Sequence, residues 1–129
     1  MELAKRFREN PNGIQHLGIP TLDIEKTIHF YEGLGFEIIW QDPGKVAFLK
    51  LGTLVIETYT GEGAAMQNGA IDHVALNVAD IEAAWRDAQE AGYETNDAEI
   101  HFLPFFANGV KFFTIIGPNR EKVEFNQYL

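Results

Sequence analysis

The 129-residue chain contains no cysteine, no long apolar run and few basic side chains. Without cysteine it has no disulfide, no zinc-thiolate site and no thiol nucleophile, so any bound metal must be held by nitrogen and oxygen atoms. No apolar stretch approaches the roughly 20 residues that a membrane-spanning helix needs. Residues 1–12 contain no apolar core of the kind that a secretory signal requires. We therefore expect no membrane partner and a cytoplasmic location.

The charge of the chain excludes a second class of partner. Acidic residues outnumber basic ones by 19 to 10, which gives a formal net charge of -9. A field of this sign repels nucleic acid and anionic lipid instead of attracting them. We expect no nucleic-acid partner.

An internal repeat is the main positive signal in the sequence. When residues 14–37 are shifted by 57 positions onto residues 71–94, seven positions are identical: Ile14/Ile71, His16/His73, Asp23/Asp80, Ile24/Ile81, Glu25/Glu82, Gly35/Gly92 and Glu37/Glu94. Each copy begins with a short β-type run and continues with an aspartate that is suited to cap a helix. The repeat predicts that the chain consists of two copies of one module.

Each copy is predicted to fold as βαβββ. The first strands are 14–19 and 71–78, and each following helix has one apolar stripe: Ile24, Thr27, Ile28, Tyr31 and Leu34, then Ile81, Ala84, Trp85, Ala88 and Ala91. Glycines at 33 and 35 and at 92 are expected to follow the two helices. The hydrophobic period then changes from 3.6 to 2, which predicts the strands 37–40, 46–51, 54–59, 99–102, 110–116 and 122–127.

These elements predict an α+β fold of two tandem βαβββ modules, whose curved mixed sheets surround a metal-binding cleft. Module one spans 14–60, a linker spans 61–70, and module two spans 71–129 of a single domain. Residues 1–13 form an N-terminal extension, either a short amphipathic helix or a frayed tail.

Both copies place a histidine at strand one and a glutamate on the last strand, namely His16 with Glu57 and His73 with Glu124. The separations are 41 and 51 positions, and the extra ten residues fall near 98–108. Two imidazoles and two carboxylates suit one divalent ion per site, such as Ni, Zn, Co, Mn or Fe. If a pseudo-two-fold axis relates the copies, the four side chains converge, either within one chain or between exchanged subunits.

Each candidate ligand also has an ordinary structural role to be weighed. A histidine at a strand start is usually packed or hydrogen-bonded, and we assign His29 and His101, which have no repeat partner, to that class. Glu124 alone is typical of a half-solvated strand. Glu57 has largely apolar same-face neighbours, so its carboxylate needs a cation or a hydrogen bond. Repetition of the pair in both copies favours the metal role.

The segments 14–36, 54–59, 71–92 and 117–127 resemble the vicinal oxygen chelate superfamily, and within it the glyoxalase I (lactoylglutathione lyase) type. The resemblance implies that the metal ligands are His16, Glu57, His73 and Glu124. It further implies a homodimeric lyase or isomerase that moves a proton on a chelated small α-hydroxycarbonyl substrate, with Glu124 as the catalytic base and Glu57 mainly holding the metal.

One position departs from the family pattern, and it leaves the substrate open. Pro20 stands where bacterial glyoxalase I has an arginine four residues after the first histidine, so the use of glutathione is not implied. Lys111 is our candidate for a substrate-binding cation. The aromatic group Phe102, Phe105, Phe106 and Phe112 either roofs a pocket or fills the core, and of the two we expect core packing. The alternatives are a non-catalytic small-molecule-binding protein, an epimerase or a dioxygenase of the same superfamily.

Overall fold

The computed structural model describes residues 2–11, 14–69 and 71–129, and this part of the chain separates into two compact units. Unit 1 is Met1–Glu62 and unit 2 is Gly63–Leu129. Each unit has a four-stranded sheet and its own buried core. In the described ranges, no helix is both long and apolar enough to cross a membrane.

Unit 1 contains two helices and four strands. In chain order they are α1 (Glu2–Glu9), β1 (Leu17–Thr21), α2 (Ile24–Gly33), β2 (Glu37–Asp42), β3 (Val46–Leu51) and β4 (Leu54–Thr60). The sheet order is β1-β4-β3-β2, in which β1 runs parallel to β4 and the other neighbours are antiparallel. Of the two possibilities for the N-terminal extension, the helix is the one observed.

Unit 2 repeats this topology with one helix and four strands. In chain order they are β5 (His73–Asn77), α3 (Ile81–Ala91), β6 (His101–Leu103), β7 (Val110–Ile116) and β8 (Lys122–Tyr128). The sheet order is β5-β8-β7-β6, again with one parallel pair, β5 with β8. The predicted α+β fold of two tandem βαβββ modules with mixed sheets is therefore confirmed.

The helices after the first strands begin in the same way. The Asp23 carboxylate accepts a hydrogen bond from the Lys26 N–H at 3.1 Å, and the Asp80 carboxylate accepts one from the Ala83 N–H at 3.0 Å. The ends differ. Helix α3 ends at Gly92, whose φ is 73°, as predicted, whereas α2 runs through Gly33 and the left-handed residue is Gly35, with φ 96°. The expectation that Gly33 follows the helix is wrong, because only Gly35 supplies the turn.

Helices α2 and α3 each pack apolar side chains on one face of their own sheet. The buried residues of the helices are Ile24, Thr27, Ile28 and Tyr31 in α2, and Ile81 and Ala88 in α3. The sheets contribute Ala47, Leu49 and Ile56 in unit 1, and Phe113, Ile115 and Val123 in unit 2. Because strand side chains alternate between faces, the other face of each sheet is available to polar side chains.

The first strand of each unit starts later than predicted. Strand β1 starts at Leu17, paired with Ile56, and β5 starts at His73, paired with Lys122. Ile14 and Ile71, the predicted strand starts, precede these ladders and are exposed. An extended segment without a neighbour has no ladder hydrogen bonds, so the strand begins where its parallel partner begins.

The aromatic group in unit 2 does not fill the core, and that expectation is wrong. Phe102, Phe105 and Phe106 are 56%, 53% and 76% exposed, and Phe112 is only partly buried. Strand β6 has three residues and lies at the sheet edge, while Phe105 and Phe106 follow it in a turn. A short edge strand and its turn have too few neighbours to cover large rings.

Candidate functional site

Unit 1 brings His16 and Glu57 together. His16 precedes β1, Glu57 lies on the adjacent β4, and Nε2 of His16 is 3.3 Å from Oε1 of Glu57. Nδ1 of the same ring is 2.9 Å from Oε1 of Gln15. Gly18 lies opposite Glu57 in the parallel ladder and leaves room beside the carboxylate. One ring nitrogen is therefore held by a neighbour while the other faces the glutamate.

Unit 2 brings His73 and Glu124 together with the same orientation. Nε2 of His73 is 3.7 Å from Oε1 of Glu124, and Nδ1 is 2.9 Å from Oδ2 of Asp72. The Glu124 side chain is only 14% exposed. Its second oxygen, Oε2, accepts a hydrogen bond from Asn126 Nδ2 at 3.1 Å. The Glu124 carboxylate is therefore largely enclosed and is not a fully exposed surface group.

Asp72 stays ionised to lower pH than an ordinary aspartate. The hydrogen bond with His73 lowers the pKa of its carboxyl group, and the hydrogen bond from Lys122, at 3.2 Å, lowers this pKa further. A carboxyl group with a lowered pKa stabilises the folded state above its ordinary pKa and loses that contribution as the pH falls through the lowered value. His73 therefore has an anionic partner, whereas His16 has the neutral amide of Gln15.

The two pairs have the donor chemistry and the spacing of adjacent metal ligands. The Asp72 carboxylate only accepts hydrogen bonds, so Nδ1 of His73 donates and, in the neutral ring, Nε2 carries the lone pair. This lone pair faces a carboxylate oxygen, an arrangement that favours a cation between the two atoms. Two atoms each about 2.1 Å from one ion lie roughly 3.0–3.4 Å apart at tetrahedral or octahedral angles. The observed separations of 3.3 Å and 3.7 Å are close to this spacing.

Not every predicted site residue joins these pairs. The Lys111 amine forms an ion pair with Glu82 of α3 at 3.2 Å, and Lys111 alternates with Phe112 on β7, so it lies on the helix-covered face and away from Glu124. His29 lies exposed on α2, and His101 is hydrogen-bonded to Asp97 at 2.9 Å. Among the residues described, no group of three or more histidine and carboxylate side chains is placed to hold a metal. Convergence of the two pairs on one ion stays a prediction.

A pocket of about 320 Å³ lies beside the pair in unit 2. It is lined by His73, Glu124, Asp72, Lys122, Asn96, Asp97, Phe112, Thr114 and Ile116. Thr114 stands opposite Glu124 in the ladder, while the matching position in unit 1, opposite Glu57, is Phe48. The Phe48 ring packs edge-on against His16, with centroids 5.4 Å apart. The residue opposite the glutamate is thus small and polar in unit 2 and aromatic in unit 1.

Three polar residues of these sites escaped the sequence reasoning. Gln15 and Asp72 occupy matching positions, one residue before each repeated histidine, so the repeat itself carried a signal for them. Asp97 had no such signal, because it lies where the two copies differ in length.

The comparison with known families identifies the superfamily of the chain. Residues 13–102 match the model of the Glyoxalase/Bleomycin resistance protein/Dioxygenase superfamily. The chain belongs to this superfamily. The resemblance stated from the sequence is therefore confirmed. The matched range contains His16, Glu57 and His73, and Glu124 follows it.

Related proteins match this chain over nearly its whole length. An uncharacterized Bacillus subtilis protein, YwbC, is 34% identical over 126 residues, which cover 88% of this chain and 96% of YwbC. A lactoylglutathione lyase from Agrobacterium tumefaciens has a similar structure, with a TM-score of 0.69, 17% identity, and coverage of 91% of this chain and 94% of the other. A superfamily protein from Nocardioides gives a TM-score of 0.74 at 18% identity, with 100% and 94% coverage. The structural matches at these identities establish the fold.

Proposed function

We propose that the protein is a metal-dependent enzyme of the lyase or isomerase kind, which moves a proton on a small α-hydroxycarbonyl substrate. The observation that carries the proposal is the duplicated pair. In both units Nδ1 of a histidine is held by its preceding neighbour, and Nε2 faces a glutamate oxygen at 3.3 Å or 3.7 Å. A hydrogen bond to the ring nitrogen that does not bind the metal orients a metal-ligating histidine.

We propose that His16, Glu57, His73 and Glu124 hold one divalent ion, with Ni, Zn, Co, Mn and Fe as the metals that suit this ligand set. When bound, such an ion polarises a carbonyl oxygen and so lowers the barrier to removing a proton from the adjacent carbon. The ligands come either from one chain or from two subunits.

Glu124 is the residue that we propose as the general base. Its Oε1 faces His73, and the carboxylate lines the pocket in unit 2. Asn126 holds Oε2, and Oε1 would take the proton from the substrate carbon when the carboxylate is displaced from the metal by the chelating substrate. Glu57 has the aromatic Phe48 opposite it in the ladder, where Glu124 has the small Thr114, and this supports a role that is limited to holding the metal.

Metal analysis of the untagged protein is the first test. We expect about one divalent ion per complete site, and His73→Ala should lose it because a ligand is removed. His29→Ala is the matched control, since His29 is exposed on α2 and outside both pairs. A His73→Ala variant that holds metal as well as the parent contradicts the ligand assignment. A metal-free parent that still binds small molecules supports the non-catalytic alternative.

Proton transfer is tested separately with dihydroxyacetone, a neutral α-hydroxycarbonyl compound. The metal-loaded protein should catalyse solvent-deuterium exchange at the carbon next to the carbonyl, and proton NMR records the loss of that signal. A screen of thiol adducts and hydroxy acids then follows, because the fold alone does not name the substrate. Absence of exchange with every compound of the screen would remove the proposal of an enzyme.

We also propose that the protein forms a homodimer. The strands β1 and β2 are the outer strands of the sheet in unit 1, and β5 and β6 are those in unit 2. Open strand edges are available for pairing, and closed symmetric dimers are the commonest assembly. Sedimentation at micromolar concentration should give twice the mass of the chain, and a purely monomeric species would contradict the expectation.

A further inference from the structure

Unit 2 contains a largely buried carboxylate that the proposed metal set does not use. Asp97 lies between α3 and β6, and its side chain is 22% exposed. Its Oδ1 accepts a hydrogen bond from Nε2 of His101 at 2.9 Å, and its Oδ2 accepts one from the Thr114 N–H at 2.7 Å. Both oxygens are therefore held in place by groups of the same unit.

The backbone around Asp97 is fixed to β7 as well. The Thr95 hydroxyl donates to the Thr114 carbonyl at 2.6 Å and accepts a hydrogen bond from the Asp97 N–H at 3.0 Å. One step earlier, the Glu94 carbonyl accepts a hydrogen bond from the Ile116 N–H at 2.8 Å. A carboxylate supported in this way has lost most of its freedom before any ligand arrives, which favours binding.

Asp97 lines the same pocket as His73 and Glu124. The described lining contains three carboxylates, those of Asp72, Asp97 and Glu124, and one ammonium group, that of Lys122. Lys122 is already bound to Asp72 at 3.2 Å. Without a bound cation, a carboxylate or phosphate of a ligand would meet negative charge here, whereas a hydroxyl group could donate to Asp97, because each of its oxygens has a second lone pair.

We propose that Asp97 anchors the substrate in this pocket by accepting a hydrogen bond from a hydroxyl group, and that His101 acts as the positioning residue that orients the Asp97 carboxylate. The substrate class is then a small neutral carbonyl compound that bears a hydroxyl group, and the matching acids are disfavoured. The inference rests on the proposed function for the reaction, but binding in the pocket is tested independently of it.

The experiment compares two probes of similar size, neutral dihydroxyacetone and anionic glycerate. Their dissociation constants are measured by ligand-observed NMR titration of the full chain, both metal-free and loaded with Zn²⁺. The variant is Asp97→Asn, which keeps an acceptor for the Thr114 N–H but removes the charge. Asp87→Asn is the matched control, because it removes the same charge from an exposed position of α3 in the same unit.

We expect Asp97→Asn to weaken dihydroxyacetone binding by about tenfold or more, since a hydrogen bond to a charged acceptor is lost. Glycerate binding should stay unchanged or become tighter, because repulsion is relieved, and Asp87→Asn should alter neither constant. A purely structural role for Asp97 predicts that both probes are lost together, and that outcome overturns the proposal. So does a parent protein that binds no dihydroxyacetone, or a variant that binds it normally.

His101→Gln is the second variant, in case Asp97→Asn does not fold. It leaves the Asp97 charge in place and loosens its support, so dihydroxyacetone binding should weaken several-fold while Zn²⁺ content stays at the level of the parent. Unchanged binding overturns the positioning role of His101. The two proposals can fail separately. If the protein holds no metal but its dihydroxyacetone binding depends on Asp97, only the proposed reaction is refuted. If the metal-loaded protein binds both probes equally, only the Asp97 anchor is refuted.

Discussion

The two units have the same topology and the same histidine–glutamate pair, but the surroundings of the pair differ. Both have a histidine just before or at the start of a first strand, with Nε2 facing a glutamate on the parallel neighbour. In unit 1 the histidine is hydrogen-bonded to the side-chain amide of Gln15 and packs against Phe48. In unit 2 the histidine is hydrogen-bonded to the carboxylate of Asp72 and lines a polar pocket.

The edge strands account for much of this difference. Strand β2 pairs with β3 along Glu37–Asp42, with a single irregularity between Ile38 and Trp40. In unit 2 the described pairs on the edge of β7 away from β8 are a bridge at Glu94 and the three residues of β6, and the Asp97 side chain binds the Thr114 N–H between them. In the longer connection of unit 2, hydrogen bonds from side chains take the place of hydrogen bonds between strands. The Asp97 side chain, which makes one of them, also lines the pocket. The two copies thus share a histidine–glutamate pair, and they differ at one sheet edge, where unit 2 has the pocket beside Glu124.

The sharpest test of the comparison exchanges the carboxylate for an amide in each unit. If Glu124 is the base and Glu57 only a ligand, Glu124→Gln should lose at least about a hundredfold in turnover while it retains much of its metal, because general base catalysis typically contributes that much. Glu57→Gln should lose metal affinity but recover activity at high metal concentration. Deuterium exchange and metal titration measure the two effects. If Glu57→Gln has no turnover while Glu124→Gln turns over like the parent protein, the assigned roles are reversed.

The partners of Nδ1 should matter unequally. Asp72→Ala removes an anionic partner from His73, and Gln15→Ala removes a neutral one from His16, so we expect metal affinity to fall by roughly tenfold to a hundredfold in the first variant and less in the second. Competition with a chelator measures both. Lys122→Met is the control, since it breaks the ion pair with Asp72 and leaves the bond to His73. Equal losses in the two units would show that the charge of Asp72 has no special effect.

The pocket itself can be closed by copying unit 1 into unit 2. Thr114→Phe places a ring opposite Glu124, as Phe48 does opposite Glu57, and the hydrogen bonds of Thr114 in the described network use its backbone. We expect turnover to fall by about tenfold or more because the ring fills the space next to the base, while metal content is kept. The reciprocal change, Phe48→Thr, should alter turnover far less. Equal effects of the two changes on turnover would contradict the hypothesis that the substrate binds in the pocket beside Glu124.

The smallest expected effect concerns the aspartate N-caps of α2 and α3, a feature that the two units share. Asp23→Ala and Asp80→Ala each remove an N-cap with nearly the same hydrogen-bond length, 3.1 Å and 3.0 Å. Each change should reduce the free energy of unfolding by about 1 kcal/mol, and denaturant titration measures it. Neither change should alter metal content. A cost in one unit only would indicate that the copies no longer depend equally on their caps.

Much of the fold was predictable because the local signals agree with each other. The repeat, the capping aspartates and the change of period from 3.6 to 2 gave the order of helices and strands in both units. Strand ends were less predictable, as Ile14 and Ile71 illustrate, because a strand begins only where its neighbour offers hydrogen bonds. The positions of Phe102, Phe105 and Phe106 were mispredicted for a related reason, since hydrophobicity does not reveal that a residue lies on a three-residue edge strand or in its turn.

For the candidate site, the sequence by itself determined which residue types recur in both copies, namely the two histidines and the two glutamates. Only the tertiary structure decided what surrounds them: that Lys111 pairs with Glu82 away from the site, and that Asp97, with His101 behind it, reaches the pocket of Glu124. The physical reason is that a repeat reports residues under the same local constraint, whereas a pocket depends on hydrogen bonds between segments far apart in sequence, such as residues 94–97 and β7.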